Sequence, residues 1–210
     1  MSAIVINGKG IIVTPQDINR ISKISELPFL CNVHMSNMTM TDSLIEALRN
    51  YKKLNSLALD NVVITDHQLR QLGKISSLIN FRLENSTNIS EQAFIEFLEA
   101  NPQLIGIDSK NAIPMTDQIA LTISRLPKLE IISLGERSLT DRHIEIMSNS
   151  RFVKIILLSD CSHISDDSLQ YFKRMPSLSW LNLYGTSVTS SGVAGFKSAK
   201  PACAVDGDVK

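Results

Sequence analysis

Apolar residues recur along the chain with a period of 24 to 26 residues. Each recurrence has the form apolar-x-x-apolar-x-apolar, where x is any residue, although the one that begins at Leu104 ends in the polar Ser109. Alternating apolar positions over so short a run indicate a β-strand with one buried face. A fixed period of this length indicates a chain built from repeated units. The pattern begins at Leu30, Leu54, Leu78, Leu104, Leu129, Val153 and Leu178.

A column of hydroxyl residues keeps the same period. Most of its members are followed by Asp, Glu or Pro. A hydroxyl that accepts a backbone N–H, followed by an acid or a proline, is typical of the first turn of a helix. Apolar residues stand four and seven positions beyond each hydroxyl, on one helical face. The predicted helix starts are Thr14, Thr41, Thr65, Ser90, Thr116, Thr140, Ser165 and Thr189.

Each unit therefore reads as strand, turn, helix and loop. A single unit of this size buries too little apolar surface to fold alone, so the units must stack. Stacking predicts an α/β fold: a right-handed superhelical solenoid with a parallel sheet on its concave side and helices on its convex side. We predict one domain, with an N-terminal capping half-repeat over 1–29, seven repeats over 30–202 and a C-terminal cap and tail over 203–210. Within that end, Pro201 to Val205 is predicted to add a short strand and Asp206 to Lys210 to fray.

One segment carries a family resemblance. Residues 156–166 read ILLSDCSHISD, with Cys161 ahead of the helix start Ile164-Ser165-Asp166. This segment resembles the cysteine-containing, ribonuclease-inhibitor-like class of leucine-rich repeat. Many proteins of that class are the substrate-binding ends of F-box proteins. Only 29 residues precede the first complete repeat, so we expect a leucine-rich-repeat protein without an F-box.

A second polar column stands where each strand ends. Asparagine bonds well to nearby backbone groups, and in leucine-rich repeats resembling this one it holds the turn. We therefore interpret the column as structural. Its members are Asn37, Asn61, Asn85, Asn111, Glu136, Asp160 and Gly185.

Charge and cysteine content narrow the classes of function. Lys plus Arg and Asp plus Glu number 21 each, so no overall field favours nucleic acid or an anionic membrane. The three cysteines are widely spaced and form no disulfide or metal motif. The apolar run at Ile4 to Ile6 is too short for a signal peptide or a membrane span. We expect a cytoplasmic protein, or one exported into a host cytoplasm by a specialised bacterial system.

The candidate binding surface is apolar. Residues between the buried positions of each strand should face the concave side. Ile131, Ile155 and Trp180 occupy the same slot of consecutive repeats, and Leu157 and Tyr184 lie further along their strands. Such a cluster with an aromatic anchor is typical of a protein-binding hot spot. Two alternatives remain open at this point: the C-terminal tail covers the cluster, or a second copy of the chain does.

A charged group in the middle of the concave face is the secondary candidate. It comprises Arg82, Glu84, Asp108 and Lys110, which could hold a charged peptide or form a solvated surface with weak ion pairs. Catalytic chemistry has only two weak candidates. Asp160, His163 and Ser165 lie close in sequence, as do Asp141 and His143, but all of them fall on turn or helix-start positions. We predict no catalytic residue, cofactor or metal.

The sequence thus predicts a non-enzymatic, monomeric protein-interaction module. Its partner is a protein of unknown identity, bound on the concave face. The first alternative is a structural subunit that the same surface docks into a larger complex. The second is an effector that a bacterium delivers into a host cell.

Overall fold

One sheet runs through the described chain in sequence order. The computed structural model describes residues 6–7, 10–13, 31–86, 88–135 and 138–208. Over these residues the sheet has ten strands; β1 pairs antiparallel with β2, and every later pair is parallel. The strands are β1 (Ile6–Asn7), β2 (Gly10–Val13), β3 (Asn32–Thr39), β4 (Ser56–Val63), β5 (Asn80–Glu84), β6 (Gly106–Lys110), β7 (Ile131–Gly135), β8 (Ile155–Ser159), β9 (Trp180–Tyr184) and β10 (Ala204–Asp206).

One helix follows each strand from β3 to β9, and neighbouring helices pack against each other. In six of the seven described helices the predicted hydroxyl accepts a hydrogen bond from a backbone N–H of the first turn. At the seventh, Thr140, the backbone N–H donates to Nδ1 of His143 at 3.1 Å. The helices are α1 (Asp42–Asn50), α2 (Asp66–Leu72), α3 (Glu91–Glu99), α4 (Asp117–Arg125), α5 (Asp141–Met147), α6 (Asp166–Arg174) and α7 (Ser190–Ala199).

The core lies between the sheet and the helices. The first apolar position of each described repeat is buried, and so are the paired apolar residues of each helix from α1 to α6. In α7 only Phe196 is buried, while Val193 is partly buried. Buried residues of successive repeats form one continuous cluster. The stacked architecture is therefore the predicted one.

The described residues cover only part of the predicted N-terminal capping segment. The predicted helix start at Thr14, the apolar residues Ile18 and Ile21 that follow it and the repeat start at Leu30 lie outside the described residues. The boundaries at 29 and 202 also remain predictions. Strands β1 and β2 fall inside the predicted capping segment.

The last strand of the sheet lies within the segment from Pro201 to Asp208. Strand β10 overlaps the predicted short strand at Ala204 and Val205 and ends one residue beyond it. The prediction that the tail frays from Asp206 is wrong at that residue, because Asp206 belongs to β10. Its carboxylate accepts a hydrogen bond from the indole Nε1 of Trp180 at 2.7 Å. Asp208 also accepts a hydrogen bond, from the backbone N–H of Gly185 at 2.8 Å. These two contacts fix the chain beyond the point at which the sequence predicted order to end.

In α2, α5 and α6 the acid that begins the helix also binds the next repeat. Asp66 accepts hydrogen bonds from both the backbone N–H and the hydroxyl of Ser90. Asp166 accepts the same two bonds from Thr189, at 2.8 and 2.7 Å. Asp141 likewise accepts both groups of Ser165. The helix dipole alone does not account for these acids, because each also links its own helix to the start of the following one.

The column at the strand ends adopts left-handed backbone geometry. Asn37, Asn61, Asn85, Asn111 and Asp160 all have φ between 49° and 58°, and Gly185 has φ 70°. Asn, Asp and Gly tolerate this region better than other residues. The predicted structural role is therefore confirmed for the described members, while Glu136 lies outside them. Some members also bond across repeats, as Asn61 Nδ2 does to Asn37 Oδ1 at 2.8 Å.

The two bonds that Asp66 accepts from Ser90 of the next repeat should contribute measurably to the stability of the fold. Replacing Asp66 with Ala removes two hydrogen bonds and should lower the free energy of unfolding by about 1 kcal/mol. The hydroxyl and N–H of Ser90 hold the pKa of Asp66 below its ordinary value of 3.8. This contribution is therefore present above pH 3.8 and lost as pH falls through the lowered pKa.

Urea unfolding at pH 7 measures the effect. Asp167→Ala is the matched control, because Asp167 stands in the first turn of α6 and is exposed. Its carboxylate accepts no hydrogen bond from a described residue. Equal losses in the two variants would contradict the link between repeats and leave only the helix dipole.

Two glycines should respond oppositely to alanine. A Cβ on Gly185, at φ 70°, would lie 2.8 Å from the backbone nitrogen of Asp160. Gly195, inside α7, has nothing within 4 Å of the same position. Gly185→Ala should therefore destabilise the fold by about 1–3 kcal/mol, and Gly195→Ala should stabilise it by about 0.5–1 kcal/mol. Thermal unfolding of both variants beside the parent measures this, and a Gly185→Ala variant as stable as the parent would contradict the left-handed turn at this position.

Candidate functional site

The apolar residues of the candidate surface lie side by side on the concave face. Ile131 pairs in register with Ile155, and Ile155 pairs with Trp180. Leu157 is aligned with Asn182, and Tyr184 stands at the far end of β9. We call these five apolar residues, Ile131, Ile155, Leu157, Trp180 and Tyr184, the apolar patch.

The apolar patch is accessible to solvent. Trp180 is 39% exposed and Tyr184 is 50% exposed, while Ile131, Ile155 and Leu157 are partly exposed. The patch extends about 13 Å along β9, because Trp180 and Tyr184 are four residues apart at roughly 3.3 Å each. From Ile131 to Trp180 it crosses two strand spacings, or about 10 Å.

The described part of the C-terminal tail lies beside the apolar patch and does not cover it. Strand β10 pairs with β9 so that Ala204 stands next to Trp180 and Asp206 next to Asn182. The tail thus continues the sheet by one strand. The indole N–H of Trp180, which would otherwise need another partner, is bound to Asp206. The alternative in which the tail shields the patch is therefore wrong for the chain up to Asp208.

The secondary candidate is a group of mutually paired charges. Nη2 of Arg82 lies 2.7 Å from Oε1 of Glu84, and Nε of Arg82 lies 3.6 Å from Oδ2 of Asp108. Burial raises the pKa of Asp108, and the nearby charge of Lys110 opposes that shift. Two cations and two anions leave no net charge for a ligand to neutralise. This geometry supports the interpretation as a paired mid-face, in which only Arg82 is well exposed.

Between the charged group and the apolar patch the face is lined by small residues. Gly106, Ser133 and Gly135 occupy the concave positions of β6 and β7 that belong to neither group. The space above the two glycines is filled from neighbouring strands, since a Cβ on Gly106 would lie 2.6 Å from Asn80 Oδ1. At Gly135 it would lie 2.9 Å from Cγ of Lys110. The glycines therefore accommodate neighbouring side chains and form no pocket.

Phe152 is an exposed aromatic that the sequence reasoning missed. It is 51% exposed and stands in the loop before β8. The sequence does distinguish this position. The residue just before the first apolar position is polar in every other complete repeat from the second onward. Some of these polar residues bond to the preceding repeat, as Ser77 Oγ does to Leu54 O at 2.6 Å and Gln103 Nε2 to Leu78 O at 3.0 Å. A phenyl ring has no such bond to make.

The weak catalytic candidates do not assemble. The carboxylate of Asp141 binds Ser165 rather than His143. His143 instead accepts from the N–H of Thr140 and lies 3.7 Å from Asp117. Asp160 occupies its left-handed turn, and His163 is exposed. Asp160, His163 and Ser165 therefore occupy three separate structural positions and do not form one site.

Metal sites and membrane spans are absent from the described residues. No group of three or more His, Cys, Asp or Glu side chains there could hold a metal ion. No helix of the described chain is long and apolar enough to cross a bilayer. A polar surface groove lies beyond the C-terminal end of α5, lined in part by Glu145, Ser150, Arg151 and Arg174. Its lining mixes an acid with two cations and offers no nucleophile paired with a base.

Comparison with known proteins identifies the fold. No protein-family model matches the chain, and no curated protein matches it. Among solved structures, internalin C2 of Listeria monocytogenes is 15% identical with a TM-score of 0.60, and the match covers 95% of this chain and 80% of that one. Human trophoblast glycoprotein is also 15% identical, with a TM-score of 0.65 over 96% of this chain and 77% of that one.

The fold is that of a leucine-rich-repeat solenoid. This confirms the predicted fold class. Strands and helices alternate along the chain, and the strands form one open sheet. At 15% identity the likeness shows the fold alone. The ribonuclease-inhibitor-like subclass and the predicted lack of an F-box remain predictions. Cys161, which suggested the subclass, is buried with its Sγ 3.8 Å from the carbonyl of Leu134.

The hydrogen bond from the Thr140 N–H to His143 should make the stability of the fold depend on pH. Burial lowers its pKa below the ordinary 6.5, and protonation of Nδ1 would remove the acceptor of the Thr140 N–H. The contribution is therefore fully present above pH 6.5 and is lost as pH falls through the lowered pKa. His143→Gln should keep the cap, because Gln68 accepts the N–H of Thr65 in the same way in α2.

Urea midpoints at pH 7.5 and pH 5.5 measure this. The parent should lose more stability than His143→Gln on acidification. Parallel losses in the two proteins would show that the imidazole does not titrate as inferred.

Proposed function

We propose that this chain is a non-enzymatic protein-interaction module that binds a protein partner with its concave face. The apolar patch, Ile131, Ile155, Leu157, Trp180 and Tyr184, is the proposed contact surface. The observation that carries the proposal is the exposure of Trp180 and Tyr184 on a sheet face that is otherwise mainly polar or charged. Large exposed apolar side chains that cluster on one face are typical of protein-binding surfaces.

The size of the apolar patch supports a role as the centre of a larger interface. Its dimensions of about 13 by 10 Å give roughly 130 Å². A stable interface buries about 800 Å² on each partner. The concave positions of β5 to β7 would supply the surrounding contact, and Arg82, Glu84, Asp108 and Lys110 would lie in that region. Their internal ion pairs make them a source of specificity more than of affinity.

An assembly subunit is the alternative that would use the same surface. Such a subunit would be held permanently in a complex and would associate when purified alone. The monomeric state and a cytoplasmic location belong to the leading proposal, and delivery into a host cell remains a second alternative. Light scattering on the purified chain separates the first two, since a monomer across the accessible concentration range counts against permanent assembly.

The proposed site is tested by a double variant. Trp180→Ala with Ile155→Asp removes the aromatic anchor and places a charge in the centre of the apolar patch. Affinity purification from native lysate should then lose the partner that the parent captures, by at least about 100-fold, since each hot-spot residue contributes 2 kcal/mol or more. The circular dichroism of the helices should not change.

The matched control is Asn32→Ala with Ser56→Asp. These residues occupy the same slot as Ile155 and Trp180 on β3 and β4. The control should retain the partner. Capture of the same partner by the Trp180 and Ile155 double variant would place the binding site elsewhere on the chain.

A further inference from the structure

Three carboxylates surround the aromatic end of the apolar patch. Asp206 stands beside Asn182 on the concave face, Asp208 follows β10, and Asp160 follows β8. All three are exposed. The concave and turn positions of β8 to β10, residues 155–160, 180–185 and 204–208, contain these three acids and no Lys or Arg. This end of the face is therefore both apolar and negatively charged.

Two of these carboxylates accept hydrogen bonds from Trp180 and Gly185, and Asp160 is bound through its backbone. Asp206 Oδ2 accepts the indole N–H of Trp180 at 2.7 Å. Asp208 Oδ1 accepts the N–H of Gly185 at 2.8 Å. The backbone N–H of Asp160 donates to Tyr184 O at 3.1 Å. The carboxylates of Asp206 and Asp208 and the backbone of Asp160 are thus held in place before any partner arrives. The second oxygen of Asp206 and of Asp208 accepts no hydrogen bond from another described residue.

Among the described residues, no Lys or Arg forms an ion pair with these three acids. Lys154 is paired with Glu130 at 2.8 Å at the opposite end of the strands. Lys200 donates to the carbonyl of Met175 at 2.7 Å. Arg174 lies over the ring of Tyr171 at 5.4 Å. The middle of the concave face differs, because there Arg82 pairs with Glu84 and Asp108.

We propose that the segment bound by the apolar patch is cationic as well as apolar, with Arg or Lys side chains placed beside Asp160, Asp206 and Asp208. This inference rests on the proposed function and specifies its partner. Apolar side chains of the segment cover Ile155, Leu157 and the aromatic rings. Its cations meet the carboxylates, and a guanidinium can also stack on the exposed indole of Trp180.

Trp180 supplies the measurement, because it is the only tryptophan of the chain. Its fluorescence therefore reports on the apolar patch directly. The probe is the peptide acetyl-Arg-Ala-Leu-Ala-Leu-Ala-Arg-amide, which places Arg and Leu on one side when extended. Two comparison peptides replace both Arg with Glu or with Gln. Tryptophan and tyrosine are absent from all three.

The Arg peptide should change the emission of Trp180 saturably and bind about tenfold more tightly than the Glu or Gln peptide, as two exposed charge pairs within their usual range would give. Its affinity should fall as salt rises from 0.05 to 0.5 M. The variant with Asp160→Asn, Asp206→Asn and Asp208→Asn should bind it about tenfold more weakly. Asn keeps an acceptor for Trp180 and Gly185, and Asn already occupies the turn position of Asp160 in four other repeats.

The matched control removes three acids from the helices. Glu46→Gln, Glu99→Gln and Asp167→Asn change exposed residues of α1, α3 and α6. This variant makes the same change in net charge and should bind the Arg peptide within about twofold of the parent. An equal loss in both triple variants would show that only net charge matters and would overturn the inference.

Failure of this inference is distinguishable from failure of the proposed function. If the Glu or Gln peptide binds as tightly as the Arg peptide, the apolar patch still binds a segment but the partner is not cationic. If no peptide gives a saturable change, the inference fails, while the capture experiment with the Trp180 and Ile155 double variant decides the proposed function independently. Emission that depends on protein concentration without peptide would make a second copy the occupant and overturn the inference.

Discussion

The structure depends on one constraint: no repeat can bury its apolar face without a neighbour. The residues that would be exposed in a single unit, such as Leu57 and Leu83, are fully buried once the repeats stack. Stacking also supplies the hydrogen bonds of the parallel sheet and the contacts of Asp66, Asp141 and Asp166 with the following helix start. Core, sheet and helix starts are therefore stabilised between repeats more than within them.

The same constraint makes the concave face a set of aligned columns. Because successive strands pair without a shift in register, one type of residue in one slot becomes a stripe across the sheet. Ile131, Ile155 and Trp180 form an apolar stripe for this reason. Arg82 and Asp108 stand in one column on neighbouring strands, and there the alignment produces an ion pair. A single arrangement of strands thus gives one end of the face an accessible apolar surface and leaves the middle neutral.

The C-terminal strand gives that apolar surface its chemical character. Strand β10 could have shielded Trp180, but it extends the sheet and places Asp206 against the indole nitrogen. Both aromatic rings remain exposed, while the indole N–H of Trp180 has a hydrogen-bond partner. Together with Asp160 and Asp208, this contact directs the proposed specificity toward a cationic partner. The leucine-rich-repeat fold provides the frame, and these few residues provide the proposed recognition.

The sequence by itself determined the repeat, the helix starts and the inward-facing residues, because these depend on spacing within one unit. It also placed Ile131, Ile155 and Trp180 in one slot, since a constant period aligns equivalent residues. Only the tertiary structure decided which groups meet across repeats. The bond from Trp180 to Asp206, the bonds from Ser165 to Asp141 and the pairing of Arg82 with Asp108 join residues of different repeats. These residues are neighbours in space through stacking, and local spacing carries no information about such contacts.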